Sequence, residues 1–183
     1  MLLENQTIQL RAVEPEDLEK LYQWENNPKL WDVGNTRNPY SKFALKQYIL
    51  QCSVDIYDSK QLRLMMVSKD TGEVVGTVDL FDFELHHSRI ALGLYVDPAF
   101  QGKGFAKSTL RLIEEYVFSY LKINQLYMHI SLNNSASMQM FEKEQYEKNG
   151  ILKQWIKSKD GFEDIALFQR FRDNYLEQKT ASL

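Results

Sequence analysis

The segment Val96-Asp97-Pro98-Ala99-Phe100-Gln101-Gly102-Lys103-Gly104-Phe105-Ala106 is where residue types and spacing point most directly to chemistry. A strand-like run ends at Asp97-Pro98, a turn with two glycines follows, and Ala106, Leu110, Ile113 and Val117 then repeat at helical spacing. The first N–H groups of a helix have no intrahelical acceptor and lie at the positive end of its dipole, so such a turn can bind a pyrophosphate. Gly102 and Gly104 carry no Cβ to hold an anion away from the backbone. Lys103, Lys107 and Arg111 recur at spacing four on one helix face. The alternative is a plain turn followed by a solvated basic face. Two familiar phosphate motifs do not fit. A Walker A alignment on Lys107-Ser108 puts Gln101 and Ala106 where glycines belong, and a dinucleotide fingerprint begun at Gly102 puts Lys107 at its third glycine.

Other residues carry weaker chemistry. Asp79-Leu80-Phe81-Asp82-Phe83-Glu84 interleaves carboxylates with rings. Asp79, Asp82 and Glu84 could hold a cationic amine and accept its proton, or they could be solubilising residues of a loop or sheet edge. Trp31-Asp32 lies in the polar and aromatic stretch Trp24 to Tyr40, long for a plain connection and so a candidate substrate loop. Cys52 falls at an apolar helical position, which reads as core rather than as an acyl carrier. His86-His87 are adjacent and diverge, with no Cys-rich shell, so no metal is expected.

The elements that must position these residues alternate. Thr7 to Val13 reads as a strand, and Glu14-Pro15-Glu16-Asp17 opens a helix with proline and carboxylates in its first turn. Ser41 to Cys52 is a second helix. Leu62–Ser68 and Glu73–Phe83 form a hairpin around Lys69-Asp70-Thr71-Gly72, and Arg89 to Val96 is a central strand. A helix is predicted from about Lys103 to Leu121, a strand from Gln125 to Leu132 and a short helix from Ser135 to Lys143. Ile151–Ile156 and Phe162–Phe171 form a closing hairpin around Lys159-Asp160-Gly161. The order β, α, α, β, β, β, α, β, α, β, β gives an α/β or α+β class, a mixed sheet with helices on its faces.

Gln101-x-x-Gly104-x-Ala106, after a strand ending Leu94-Tyr95-Val96-Asp97-Pro98, resembles the Q/R-x-x-G-x-G/A signature of the GNAT acyltransferase superfamily. Asn134-Ser135-Ala136-Ser137-Met138-Gln139-Met140-Phe141-Glu142-Lys143-Glu144-Gln145-Tyr146 is similar to that family's N-x-x-S-x-x-L-Y/F-E-K-x-G-F segment. The two lie in the family order, and the resemblance covers roughly Ile8 to Phe171. It implies a mostly antiparallel sheet splayed between its two central strands. It also implies acetyl-coenzyme A as co-substrate and direct transfer of its acetyl group to a primary amine in a ternary complex. The implied cofactor residues are Leu94, Tyr95 and Val96 along the pantetheine arm and Gln101, Gly102, Lys103, Gly104, Phe105, Ala106 and Lys107 around the pyrophosphate. Asn134, Ser137 and Phe141 complete them from the second segment. Gln145 replaces the usual glycine. Phe141 stands where many members carry a tyrosine that protonates the departing thiolate, and branches similar to diamine and ribosomal-protein acetyltransferases also lack it.

Such a transfer needs a neutral amine, a polarised carbonyl and a leaving thiolate. Positioning two reactants contributes about 7–11 kcal/mol. A backbone N–H near Leu94 to Val96 is a candidate oxyanion donor. For the base, His129 lies in strand-like Tyr127-Met128-His129-Ile130, five residues before Asn134, where some members place a carboxylate. Imidazole suits the task, and a structural strand histidine is the alternative. Glu84 is the second catalytic candidate. Tyr127 and Tyr146 are conceivable thiolate acids. Trp31, Asp32, Asp79, Asp82 and Glu84 make up the candidate amine site. A polyamine or diamine acceptor is the leading expectation, a protein N-terminus the second, and a non-catalytic acyl-CoA-binding module the third.

Composition bounds these readings. The chain has 183 residues, with 44% hydrophobic and 13% aromatic, and a formal net charge of -3 from Lys+Arg 22 and Asp+Glu 25. That length fits one domain, residues 1–183, able to bury roughly 70% of its unfolded surface. The acidic balance argues against nucleic acid as a partner. No apolar run approaches the ~20 residues of a membrane span, and Met1-Leu2-Leu3-Glu4-Asn5 has no signal-peptide form. A cytoplasmic enzyme with no membrane partner is expected. One cysteine excludes an internal disulfide. A homodimer is a possibility taken from similar proteins.

Overall fold

Ile8 and Leu10 alternate inward along β1 (Ile8–Ala12), and the chain then turns through a 3-10 segment, Pro15–Asp17, into α1 (Leu18–Glu25). The structure is a computed structural model that describes residues 2–28, 30–31, 38–158 and 161–181. Ser41 caps α2 (Lys42–Gln51) by accepting the N–H of Ala44 at 3.1 Å, and a short α3 (Ile56–Ser59) follows. Then come β2 (Leu62–Ser68), β3 (Val74–Glu84), β4 (Arg89–Val96), α4 (Phe105–Glu114), β5 (Gln125–Ser131), α5 (Ser135–Lys143), β6 (Glu147–Ser158), β7 (Gly161–Phe171) and α6 (Arg172–Ala181).

The strands form one seven-stranded sheet in the order β1-β2-β3-β4-β5-β7-β6. Among the described residues β4 and β5 pair in parallel and the other pairs are antiparallel. This is the mixed, mostly antiparallel sheet expected from the sequence. On one face Leu64, Val78, Leu80, Ile90, Leu92, Leu126 and Met128 pack with Leu110, Ile113 and Val117 of the α4 region and Phe141 of α5. On the other, Met65 packs with Leu21 and Trp24 of α1 and Ile49 of α2. Gly76 lets β3 approach β4, since a Cβ there would lie 2.1 Å from the Tyr95 carbonyl oxygen.

Three elements differ from the sequence expectation. The helix predicted from Lys103 begins at Phe105, because Gly104 at φ 82 is its N-cap, and it widens at Glu115–Tyr120 into a π turn. The closing hairpin is longer, with β6 beginning at Glu147. The chain also continues past β7 into α6, whose polar sequence has no apolar stripe to reveal it. Glu115 holds that helix by accepting from Tyr175 Oη at 2.6 Å and Lys179 Nζ at 2.5 Å. Among the described residues, no helix is long and apolar enough to cross a membrane.

Candidate active site

The parallel pairing of β4 and β5 lasts three positions, Arg89↔Gln125, Ile90↔Leu126 and Ala91↔Tyr127. Beyond it, Leu92–Val96 pair with β3 alone and Met128–Ser131 with β7 alone. The strands splay, and the facing edge of β4 presents free peptide groups to the cleft, as a paired β-edge would to another strand. At the mouth of this cleft the chain enters α4. Asp97 shapes the approach: Oδ1 accepts the N–H of Ala99 at 3.0 Å, and Oδ2 accepts Trp24 Nε1 at 2.9 Å. Gln101 Nε2 donates to the Val96 carbonyl at 3.0 Å and braces the turn. Gly102 and Gly104 sit at φ 75 and 82, and a Cβ on either would meet open space. No side chain caps α4. Its first N–H groups therefore face that space unpaired, which suits an anion.

The cationic stripe is less free than its spacing implied. Lys107 Nζ pairs with Glu144 Oε1 at 2.5 Å, and Arg111 Nε lies 3.5 Å from Glu144 Oε2. Lys103 Nζ stands 5.0 Å from the Phe100 ring centroid. Phe105 is buried, its ring edge-on to Phe100, and Ala106 packs against the main core. The cofactor residues expected on the second segment also serve the fold. Asn134 Oδ1 accepts the N–H of Ser137 at 3.1 Å and so caps α5. Phe141 lies in the core, edge-on to Tyr146 at 5.2 Å.

Residues paired across a sheet share a face, so the acceptor side can be read row by row. Phe81, Ala91, Tyr127 and Gln169 form one row. In the next, Asp79 pairs with Gly93, and across the splay His129 pairs with Leu167. The Phe81 ring leans over Gly93, with Cε1 3.4 Å from where a Cβ would be. Thr77 and Tyr95 form the third, and Tyr95 meets Trp24 edge-on at 5.2 Å. Burial pushes the Tyr95 phenol up to about 12, with Asp97 adding to it. Burial holds the His129 imidazole below its ordinary value against the opposing pull of Asp82, so it is neutral at neutral pH.

Four candidates are engaged elsewhere in this structure. Asp79 is taken by Arg63, whose Nε and Nη2 donate to its two oxygens at 2.5 and 3.3 Å. Burial pushes this carboxyl up while Arg63 pulls it down. Arg63 Nη1 also donates to Glu25 Oε1 at 2.6 Å, so a guanidinium fills the place expected for a substrate amine. Glu84 lies where β4 and β5 are still paired, and its Oε1 accepts the N–H of His86 at 3.2 Å, so it does not join His129. Tyr146 is buried among Phe141, Glu114 and Arg170, and that burial pushes its phenol far up, which makes it a poor proton donor. Trp31 donates through Nε1 to the Glu25 carbonyl at 2.9 Å, its indole N–H spent on the fold. Asp32 lies outside the described residues.

Asp82, Tyr127 and His129 are brought together, while Trp155 and Arg63 were missed. A lone arginine inside the apolar run Leu62–Ser68 was the available signal for Arg63, and nothing in sequence marks Trp155. His86 and His87 meet edge-on at 4.8 Å in an exposed turn. Burial raises the Cys52 thiol against the lowering effect of Tyr48, which leaves it a poor nucleophile.

A splayed parallel pair feeding a glycine turn and an uncapped helix defines a class, and comparison with known proteins agrees. The chain belongs to the GNAT acetyltransferase family: the model of the acetyltransferase (GNAT) domain matches residues 7–146. It is 24% identical over 174 residues to the uncharacterized N-acetyltransferase p20 of Bacillus licheniformis, covering 94% of this chain and 97% of that one. It is 22% identical over 174 residues to a spermidine N(1)-acetyltransferase of Vibrio cholerae, covering 95% and 98%. A crystal structure of spermidine N-acetyltransferase from Vibrio cholerae with CoA and spermine superposes with a TM-score of 0.84 at 22% identity, covering 94% of this chain and 99% of that one.

Proposed function

We propose that residues 1–183 form a single N-acetyltransferase domain that uses acetyl-CoA to acetylate a primary amine of a diamine or polyamine by direct attack in a ternary complex. The observation that carries the reading is the splay after Ala91↔Tyr127, which opens onto the uncapped start of α4 on one side and onto His129 on the other. The thioester supplies an activated acetyl group. The residues present fit it: free N–H groups at Gly104 to Ala106 and open space over Gly102 and Gly104 suit a pyrophosphate. The unpaired edge of β4 suits an extended amide-bearing arm, and a backbone N–H along Leu94 to Val96 serves as oxyanion donor.

On the acceptor side, neutral His129 takes the amine proton, directly or through water. With Phe141 unable to donate and Tyr146 buried, no side chain of the second segment protonates the thiolate, so positioning carries the larger share of the rate. The spermidine acetyltransferases among the relatives support a polyamine acceptor. The proposed enzyme is cytoplasmic. Phe162, 64% exposed, and Ile151, 43% exposed, support self-association, which sedimentation reads directly.

Thiol release from acetyl-CoA across spermidine, 1,4-diaminobutane, peptides with free N-termini and aminoglycosides tests the reading. Release with polyamines and acetylated product by mass spectrometry is expected. Release with peptides alone would shift the acceptor to a protein N-terminus. Tight CoA binding with no release from any amine would make the protein a binding module.

A further inference from the structure

Beneath α4 lies a chain of charges that the proposed transfer does not use. Glu114, the last residue of that helix, is 5% exposed, and its Oε1 stands 3.2 Å from Nε of Arg170 on β7, itself 4% exposed. The carboxyl is faced by Arg111 of its own helix, by Glu144 at the end of α5, by Tyr146 before β6, by Arg170 and by Tyr175 of α6. Glu115, next along the chain, is engaged with Tyr175 and Lys179 instead. Arg170 is shared more widely. Its Nη1 donates to the Glu144 carbonyl at 2.5 Å, its Nη2 donates to Gln178 Oε1, and its Cζ lies 5.6 Å from the Tyr146 ring centroid. Glu114 Oε1, Arg170 Nε and Tyr146 Oη are buried and lack a hydrogen bond of good geometry among the described residues. A divided guanidinium at a poor angle compensates a buried carboxylate only in part. Burial accordingly pushes the Glu114 carboxyl up to about 7 against the pull of Arg170.

Glu144 ties this buried pair to the helix face expected to meet phosphates. Its carboxylate, 11% exposed, holds Lys107 Nζ at 2.5 Å and lies 3.5 Å from Arg111 Nε. Its backbone carbonyl accepts from the same guanidinium that faces Glu114. Within this group, the carboxylates of Glu114 and Glu144 are balanced by Lys107, Arg111 and Arg170. An anion that engages Lys107 and Arg111 draws two of those cations away and leaves Arg170 between two carboxylates. Glu144 can turn to water, whereas Glu114 cannot. The buried group is therefore the one whose charged form becomes least favourable.

We propose that Glu114 is a proton-linked positioning residue for α4: when the CoA diphosphate draws Lys107 and Arg111 from Glu144, Glu114 takes up one proton from solvent and remains beside Arg170 as a neutral acid. This rests on the cofactor reading above and deepens it. One O–H bond forms on Glu114, the proton comes from the medium, and no other covalent bond changes. Arg170 keeps its bonds to the Glu144 carbonyl and Gln178, so α5 and α6 stay joined beneath the cofactor helix. The complex holds more protons than the free protein, so affinity rises as pH falls through neutrality.

Calorimetric titration of dephospho-CoA in buffers of different ionisation enthalpy counts the protons. This ligand lacks the phosphomonoester of CoA, whose own titration would enter the count. The wild type takes up about a third to a half of a proton per ligand at about pH 7.5, and its affinity falls about two- to threefold per pH unit around that value. Glu114→Gln, a fixed neutral form, binds without proton uptake and with an affinity flat over the same range. Glu144→Gln loses most of the uptake while leaving the buried pair in place, so a folding defect in the first variant does not decide the matter. No uptake by the wild type, or uptake that survives in Glu114→Gln, overturns the proposal. Binding without proton linkage leaves the cofactor reading standing, whereas a wild type that binds neither dephospho-CoA nor acetyl-CoA removes both. Proton-linked binding with no acetyl transfer to any amine would sink the transferase reading and leave the role of Glu114 in place.

Discussion

At the scale of single residues, the proposed reaction divides the work of the cleft between Gly104 and His129. Gly104 holds φ 82 at the start of α4, a conformation a β-branched side chain disfavours, and open space lies where its Cβ would project. Gly104→Val is therefore expected to abolish CoA binding in calorimetry, by straining the turn and filling the space over the free N–H groups. Unchanged affinity would remove this turn from the cofactor site. His129 is kept neutral by burial, so the acid limb of its rate–pH profile should fall below the ordinary imidazole pKa of about 6.5. The His129→Gln enzyme should be slower by about 10²–10⁴, the range for a positioned base, and should lose that limb. A profile that keeps its limb and its rate makes His129 structural. Both residues were legible in sequence, one from a turn that needs glycine and the other from its place in a strand. The pairing of Asp79 with Arg63 was not, because it joins strands whose register no local pattern specifies.

Elements hold these residues through a few directed contacts. Asp17, buried at the foot of α1, accepts from Arg11 Nη1 and Nη2 at 2.7 and 2.8 Å and from the N–H of Glu14 at 2.9 Å. That fastens β1 to α1, and α1 carries Trp24 to Asp97 at the entrance to the glycine turn. Burial alone would push the Asp17 carboxyl up, but the Arg11 and Glu14 hydrogen bonds outweigh it and the net displacement is downward. Because the folded value lies below the unfolded one, the stabilisation is complete above the ordinary carboxylate range and is lost as pH falls through the folded value. Asp17→Asn should cost about 1.5–3 kcal/mol in urea unfolding at neutral pH, and that deficit should shrink on acidification. A deficit that stays constant with pH would mean packing, not charge, is lost. Strand and helix positions were largely predictable from apolar spacing. The bulges at Asp82 and Gln154 were not, since a bulge is a mismatch between two strands and neither strand alone encodes it.

Over the whole molecule, the net charge of -3 averages opposed local fields. Glu144 faces Lys107 and Arg111 across α4 and α5, and its carbonyl accepts from Arg170 Nη1 at 2.5 Å. In the proposed complex, a carboxylate fixed this way would compete with the CoA phosphates for the same two cations. Glu144→Gln should tighten CoA binding about two- to fivefold at low salt, the equivalent of ~0.4–1 kcal/mol, with the gain fading as salt is added. No change at any ionic strength would show that neither cation meets the ligand.

Neighbours along the chain suffice to specify the amphipathic stripes, the glycine turn and the two segments that mark the family. Those signals survive because hydrogen bonds of a turn and burial of a helix face are decided within a few residues. Which charges remain free follows from packing between distant segments. Asp79 and Lys107 looked like ligand contacts and have protein partners, whereas Asp82, which looked like one of three equivalent acids, has no ion-pair partner among the described residues. The physical reason is that an ion pair needs two groups within a few ångström, and residues as distant in sequence as Arg63 and Asp79, or Lys107 and Glu144, meet only once the sheet and its helices have packed.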